Sequence, residues 1–526
     1  MIRITDLKLP VHGTEEQLKK KAARALGVPM EVISQMRIFR RSLDARKKDQ
    51  IHYVYVVDVS VKEEKKILSK AKGKNISPSP EFSYSFIQGR AECDHRPVVV
   101  GFGPAGMFAA LLLAEMGLNP IVLERGGDVE SRQKAIKLFW KEGKLDTENN
   151  VQFGEGGAGT FSDGKLTTRI KDPRCRKVLE ELVEAGAPEE ILYDAKPHIG
   201  TDLLRGVVQR IREKIISLGG EIHFFAKVTD IIVESGKVEG VILADGKTIE
   251  TNNIVLAIGH SARDTFEMLH EKGASLEQKP FAMGVRIEHP QKMINDTQYG
   301  DASETLPPGD YRLTYTTQKG RGVYTFCMCP GGYVVAAASE EGRLAVNGMS
   351  EHARDGENAN SALLVQVFPE DFASDHPLAG MHFQRRLEEK AFQAGGGNFA
   401  APVQRVGAFL QRKADSLEVS PTYLPETKEA DMDEIFPTFM TEAMREAIPA
   451  MAKKLKGFDR ADAVLTAVES RSSSPIRILR GENGESPWAE GLYPTGEGAG
   501  YAGGIVSAAV DGISVAEKIF SKHKQQ

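Results

Sequence analysis

Residues 97–125, PVVVGFGPAGMFAALLLAEMGLNPIVLER, constrain the fold of this chain more than any other stretch. Val98, Val99 and Val100 read as a short apolar strand. Gly101, Gly103 and Gly106 follow as G-x-G-x-x-G, with Phe102, Pro104 and Ala105 between them. An apolar helical pattern comes next, then a second strand, Ile121 to Leu123, that stops at Glu124 and Arg125. In such a βαβ unit the first glycine permits a tight turn, the second lets the backbone approach a diphosphate, and the third lets helix and strand pack closely. Free N–H groups and the helix dipole then favour an anion. Glu124, 23 residues after Gly101, stands where a carboxylate meets a ribose diol. The glycine pattern alone is a weak signal; strand, helix, second strand and terminal acid together point to a dinucleotide site. A carboxylate there disfavours the 2′-phosphate of NADP. The apolar run from Val98 to Gly117 also suggests a membrane helix, but its glycines, Pro104 and the strand that follows favour a buried helix.

A chain of 526 residues is too long for one core, so two or three domains are expected. Its 41% hydrophobic and 27% charged content fit an ordinary globular protein. The net charge of −5 conceals an asymmetry: residues 1–90 hold 19 Lys/Arg against 10 Asp/Glu, the remainder 49 against 63. The opening MIRITDLKLPVHG has no apolar core of a secretory signal, no segment reads as membrane-spanning, and four cysteines do not make a disulfide framework, so the expected location is the cytoplasm.

The order of elements divides the chain. Residues 1–90 read as a basic β-α-β-β-α module, ferredoxin-like in order, with T-E-E-Q at Thr14 as a capping box and a Pro/Ser-rich linker at 73–92. Residues 91–275 carry the dinucleotide unit, an amphipathic helix at 202–218 and three strand-like segments, with Asp245-Gly246 marking a hairpin. Residues 276–475 bring new strands (FAMGVRIEH, VYTFCMCP, GYVVAAAS) and a helix at about 434–456, read as an inserted α+β substrate or cap domain. Residues 476–526 return to the cofactor. The fold class is therefore α/β, and helix followed by meander matches a glutathione-reductase-type FAD-binding Rossmann domain, whose meander ends in an A-x-G turn, here Ala257-Ile258-Gly259.

Four elements carry a more specific resemblance: Gly101 to Gly106 with Glu124, the strand at Lys227-Val228, Ala257-Ile258-Gly259, and Gly496-Glu497-Gly498. With FGEGGAGTFSDGKL (153–166), AIGHSARDTF (257–266), FCMCPGG (326–332), ANSALLV (359–365) and ESRSSSPIR (469–477), almost the whole chain resembles a bacterial family of predicted FAD-dependent dehydrogenases. The resemblance implies non-covalent FAD and no settled substrate. It implies that Val228 gives backbone contacts near adenine, and that Glu497, where Asp is commoner, serves the ribityl or pyrophosphate region. It also implies that the loop Gly157, Ala158, Gly159, Thr160, Ser162, Asp163, Gly164 and Lys165 wraps the flavin. Gly503, Gly504 and Ile505 open the last helix, whose N-terminus suits flavin N1/O2.

Gly154, Gly156 and Gly159 form a second formal G-x-G-x-x-G, but no apolar strand precedes it, so a second Rossmann site is rejected. NAD(P)H remains a transient electron donor without its own motif. Lys165, Arg263, Arg471 and Arg477 are candidates for an anionic group on a small-molecule substrate. His198 and His260 are candidate proton carriers, though isolated histidines are more often structural. Cys327 and Cys329 form C-x-C, about 7 Å apart on a regular strand, too far for a relaxed disulfide; buried thiols or a redox pair are the two readings. No metal site is expected. Arg37, Arg40, Arg41, Arg46, Lys47 and Lys48 attract nucleic acid in principle, yet only Phe39 lies among them, so a solvated or interdomain face is expected. The primary expectation is an FAD-dependent oxidoreductase moving hydride between flavin N5 and an unidentified substrate. An RNA-associated flavoprotein acting in tRNA modification or redox sensing, and a non-catalytic flavin-binding protein, are the alternatives.

Overall fold

The computed structural model describes residues 1–71, 73–80, 84–85, 89, 91–411 and 419–524. Parts of the expected linker (81–83, 86–88, 90) and the last two residues lie outside them.

At the N-terminus four strands form one antiparallel sheet, in the order Ile33–Asp44, His52–Val61, Ile2–Pro10, Ile76–Pro78. The helix Glu15–Leu26 begins at the reciprocal Thr14–Gln17 capping box and ends at Gly27, with φ 68°. Alternation along Ile2, Ile4, Leu7 and Leu9 seals one face against this helix. The linker expectation is corrected at Ile76–Pro78, which is an edge strand; proline is tolerated there because the edge needs no donor.

The dinucleotide unit sits in a five-stranded parallel sheet ordered Leu492–Pro494, Ile254–Leu256, Val98–Val100, Ile121–Leu123, Glu221–His223. The order reverses beside Val98–Val100, the place where such sheets open a crevice at their carboxyl ends. The helix Pro104–Glu115 is buried on all sides from Ala105 to Ala114, which accounts for its uniformly apolar sequence. Among the described residues no helix is long and apolar enough to cross a membrane.

The three expected meander strands resolve differently. Glu221–His223 and Ile254–Leu256 join the parallel sheet, while Val228–Glu234, Lys237–Leu243 and Thr248–Glu250 form a separate antiparallel sheet. A continuous apolar stretch does not reveal where a chain leaves one sheet for another.

Between Ile254–Leu256 and Leu492–Pro494 the chain builds a seven-stranded sheet: Thr314–Thr316, Gly322–Cys329, Asn358–Val367, Phe281–Pro290, Val464–Glu469, Ala401–Arg405, Thr427–Glu429. One face carries Met283, Val285, Ile287, Leu363 and Val365 into a core under the helices Ala379–Ala394 and Thr438–Ala452. The alternate residues, Ala282, Gly284, Arg286, Asn360 and Ala362, make a face of small and polar side chains. Leu276–Gln278 pairs with Ile476–Ile478 where the chain enters and leaves this region.

Candidate functional site

The glycine loop is built for an absent side chain. A Cβ on Gly101 would collide with the Ala257 carbonyl, and one on Gly106 with the Gly101 carbonyl. Gly103 differs: a Cβ there would meet only the Gly157 Cα, at 3.7 Å, so the space beside it is open. Gly103 is the N-cap of the Pro104–Glu115 helix with Pro104 in its first turn, and Gly504 is the N-cap of Ile505–His523. Nothing lies within 4 Å of a Cβ on Gly259, Gly503 or Gly504. A Cβ on Gly159 would lie 3.2 Å from Ile505 Cγ1 and 3.9 Å from Pro104 Cγ, which puts the 157–165 loop against both helix starts. The crevice is thus lined by backbone and flanked by two helix N-termini, and it fits a diphosphate group.

Glu124 is 4% exposed and accepts three backbone N–H bonds, from Phe102 (2.8 Å), Gly126 (2.9 Å) and Gly154 (2.9 Å). A carboxylate has about four lone-pair sites, so one remains for a ribose hydroxyl. Its first task is to staple the glycine loop to the 154 loop, a role the spacing does not reveal. Arg125 is corrected more fully: its donors go to Glu148 (2.7 Å) and Asp264 (2.8 and 2.9 Å), and its plane lies over Phe153. Its hydrogen-bonding edge is committed within the protein. Val228 opens its strand opposite Leu243, and Phe102 is fully buried, edge-on to Phe224. The Gly496 N–H donates to Asp511 at 2.7 Å, which anchors the C-terminal glycines.

The 157–165 loop turns through the 3₁₀ segment Ala158–Phe161, closed by Thr160 Oγ1 on the Glu155 carbonyl and Ser162 Oγ on the Gly159 carbonyl. A Cβ on Gly164 would sit 3.0 Å from the Gly200 nitrogen. Asp163 is buried and takes a bidentate pair from Arg354 (3.0 and 2.5 Å), the Ser350 hydroxyl, and Lys165 at 3.2 Å. Burial alone would raise its pKa; the Lys165 and Arg354 charges outweigh this and hold it well below the carboxylate range. Lys165 also donates to the Met328 carbonyl. Desolvation opposes its charge, yet Asp163 keeps it above the ordinary lysine range.

Lys165 keeps 30% of its side chain accessible and Cys327 is exposed, though desolvation is the largest influence on both. Both side chains are thus reachable from solvent yet closely surrounded by protein atoms. Beside them lie Phe326, 40% exposed, and Arg286, fully buried, which donates to Glu469 (2.8 Å), Asn360 (3.1 Å), Asn347 (3.0 Å) and the Cys327 carbonyl (2.9 Å). Asn360 Nδ2 and Thr466 Oγ1, on the same sheet face, are buried without a protein partner. The C-x-C pair departs from regular strand geometry: a bulge between Phe326 and Cys329 leaves Cys327 at φ 43°, so Cys327 is exposed while Cys329 is buried. Burial pushes the Cys327 thiol up to about 12 against the pull of Lys165 and Arg286, and raises Cys329 as well.

The other substrate candidates are corrected. Arg263 and Arg471 both grip Glu388, which is fully buried, at 2.6–2.8 Å and 2.8 Å, and Arg263 also reaches Glu340 at 2.5 Å. This network pins the helix Arg263–Glu271 to the Ala379–Ala394 helix, and the guanidinium charge is neutralised inside the fold. Arg477 pairs with Glu277 at 3.1 Å at a partly exposed edge. His198 stacks on His352 and contacts its carbonyl. In the basic N-terminal segment Arg41 holds Asp194 (2.6 and 2.9 Å) and Arg46 holds Asp44. Arg286, Arg354 and Glu469 were missed by sequence reasoning. The one available signal was a charge at an inward-alternating position of FAMGVRIEH.

Residues 280–472 match the family model described as FAD-dependent protein, C-terminal domain-like; 95–278 match that of pyridine nucleotide-disulphide oxidoreductases, and 1–60 a domain of unknown function. A protein of Clostridium beijerinckii, itself uncharacterized, is 54% identical over 527 residues, covering 99% of each chain. Among solved structures, glycine oxidase from Bacillus cereus is 12% identical, with 82% of this chain and 99% of that one covered and a TM-score of 0.32. Fructosamine oxidase from Aspergillus fumigatus is 12% identical, with 83% and 87% covered and a TM-score of 0.36. The protein is an FAD-dependent oxidoreductase with a Rossmann-type α/β fold. It belongs to the family of FAD-dependent proteins that it shares with the Clostridium beijerinckii relative.

Proposed function

We propose that the protein moves a hydride between FAD seated in the glycine-lined crevice and a small anionic substrate held beside Lys165. FAD, when bound, supplies the two-electron chemistry; the protein positions, polarises and shields. Gly101 to Gly106, Gly157 to Gly159 and Gly503 to Ile505 hold the cofactor through backbone, and one free lone pair of Glu124 serves its ribose. Lys165 binds the substrate anion. The observation that carries this reading is an accessible ammonium beside Asp163, which it shares with Arg354, so that positive charge is in local excess. Phe326 offers an apolar surface for the rest of the substrate. NAD(P)H belongs to the proposal only as a transient donor.

Several structural readings belong to the same proposal. Strand order 3-2-1-4-5 with an antiparallel meander supports a glutathione-reductase-type FAD domain. The β-α-β-β-α-β order of residues 2–78 supports a ferredoxin-like module. Four unpaired cysteines suit a reducing compartment such as the cytoplasm.

The test is anaerobic bleaching of FAD-loaded protein by a library of carboxylates and phosphates and their neutral esters or amides. The expected result is bleaching by one or more anionic compounds, with Lys165→Met weakening the response without loss of flavin. Bleaching by neutral compounds alone, at the same rate in Lys165→Met, would sink the proposal.

A further inference from the structure

We infer that Arg354 and Lys165 form a two-point clamp for a single carboxylate of the substrate, with Asp163 as their shared counter-ion. The inference rests on the assignment of Lys165 to the substrate anion, and it names the second ligand and the charge of the group the pair takes. Both cations meet on one oxygen: Asp163 Oδ2 lies 2.5 Å from Arg354 Nη2 and 3.2 Å from Lys165 Nζ. Each keeps a donor in reserve. Arg354 spends Nε and Nη2 on Asp163, and its Nη1 makes no hydrogen bond to the protein among the described residues. Lys165 has three donors, of which Asp163 and the Met328 carbonyl take two. The two side chains remain 13% and 30% accessible, so the pair is not sealed off.

One frame sets both side chains. The Lys165 loop is hydrogen-bonded along residues 197–200: the Leu166 N–H donates to the Pro197 carbonyl at 3.0 Å, the Ile199 N–H to Gly164 at 3.1 Å and the Gly200 N–H to Asp163 at 3.1 Å. The segment leading to Arg354 is laced to the residues that follow: the Thr201 N–H donates to the Ser350 carbonyl at 3.0 Å, and the His352 N–H to Asp202 Oδ1 at 2.8 Å. The His198 and His352 rings, one from each segment, stack with centroids 5.2 Å apart. Arg354 itself holds φ 53°, a left-handed conformation uncommon outside glycine. Its carbonyl lies against Gly331, where a Cβ would collide with it. Strain of this kind persists where the surrounding structure fixes a residue for a task. Donors fixed before a ligand arrives lose little freedom on binding it.

Charge selects the ligand. Lys165 and Arg354 carry two positive charges and Asp163 one negative. Arg286, whose Nη1 holds the Cys327 carbonyl next to Met328, is balanced by Glu469 at 2.8 Å. Asp202 sits in the first turn of the Thr201–Ser217 helix, where the helix dipole offsets its charge. One positive charge is left, and a monoanion cancels it. A dianionic phosphate ester would leave a surplus negative charge beside Asp163, and a neutral amide would leave the positive charge unmatched. A carboxylate also presents two oxygens in one plane, one for each spare donor.

The clamp is tested by fluorine NMR of para-fluorobenzoate, para-fluorobenzamide and para-fluorophenyl phosphate mixed with the full chain, with and without added FAD. At about pH 8 the phosphate ester is a dianion. The expected order is binding of the benzoate, weaker binding of the phosphate ester and none of the amide. This order needs no variant, so it decides even where a substituted chain does not fold. Arg354→Gln and Lys165→Met should each weaken benzoate binding by roughly 10- to 100-fold, and Arg354→Lys should recover part of the loss by restoring the charge. A benzoate that does not bind, or that binds no tighter than the phosphate ester or the amide, would overturn the inference. So would a benzoate affinity unchanged in Arg354→Gln but lost in Lys165→Met, a result that leaves the Lys165 assignment standing. Selective benzoate binding in a protein whose flavin no carboxylate bleaches would keep the clamp and remove the hydride reading.

Discussion

The two sides of this site are made by different means. The Rossmann side is made of backbone: Gly103, Gly259, Gly503 and Gly504 leave space, Gly157 lets its loop pack against Gly103, and two helix N-termini supply N–H groups. The sheet side is made of side chains, with Lys165, Asp163, Arg354, Arg286 and Glu469 arranged by ion pairs over small residues on the strands. A backbone site binds whatever carries the right phosphates and tolerates little change, because an added Cβ occupies the ligand's own space. A side-chain site sets which molecule reacts, and each of its members can be exchanged with a graded cost.

The largest expected effect lies on the backbone side. Gly103→Val should abolish FAD binding, because the proposed path of the diphosphate runs through the open space beside Gly103, while the thermal midpoint of the flavin-free protein stays close to wild type. Equilibrium dialysis and a melt read the two halves of that statement. Full flavin occupancy in the variant would show that the loop is not the grip.

Next comes the joint between the two sides. Glu388→Ala leaves the buried Arg263 and Arg471 without their shared carboxylate, and removing one member of a buried pair costs about 3–5 kcal/mol. Denaturant unfolding should register that loss. A change within error would mean that Arg385 and Glu340 re-form the network unaided.

On the side-chain side, Lys165→Met removes one charge-assisted contact, of about 1.5–3 kcal/mol. Substrate-driven flavin bleaching should slow by roughly 10- to 100-fold in kcat/KM with FAD content unchanged. An equal loss of flavin would place Lys165 on the cofactor instead.

The smallest effect is a slope. His289 is fully buried and donates its Nε2–H to the Phe458 carbonyl at 2.8 Å, and burial lowers its pKa to about 4 from an ordinary value near 6.5. The unfolded chain therefore binds the extra proton first, and stability falls as pH drops from about 6.5 toward 4, by at most about 1.4 kcal/mol per pH unit. In His289→Gln that segment of the stability profile should flatten. Asp163 acts in the same direction at lower pH, because its depressed pKa loses its stabilising share only in strong acid.

The contrast also explains what the sequence disclosed. Glycine spacing is local, so Gly101 to Gly106, the Thr14 capping box and the Leu492–Ile505 return were legible in order. The charged cluster joins Lys165, Arg286, Arg354 and Glu469, which are about 300 residues apart at the extremes, and no period links them. Arg263 and Arg471 look like substrate ligands in sequence because an arginine carries no sign of the glutamate that will neutralise it. Glu124 has the right position for ribose, but its three backbone bonds depend on Gly126 and Gly154 folding back onto it. The bulge at Cys327 is equally invisible, since alternation alone places both thiols on one face.

The most direct test of the account is a titration of the purified, flavin-free protein with FAD, followed by visible absorption and calorimetry. The account predicts one tightly held FAD per chain, with flavin bands that survive desalting in the wild type and are absent from Gly103→Val. A wild-type protein that stays colourless at saturating FAD would contradict it.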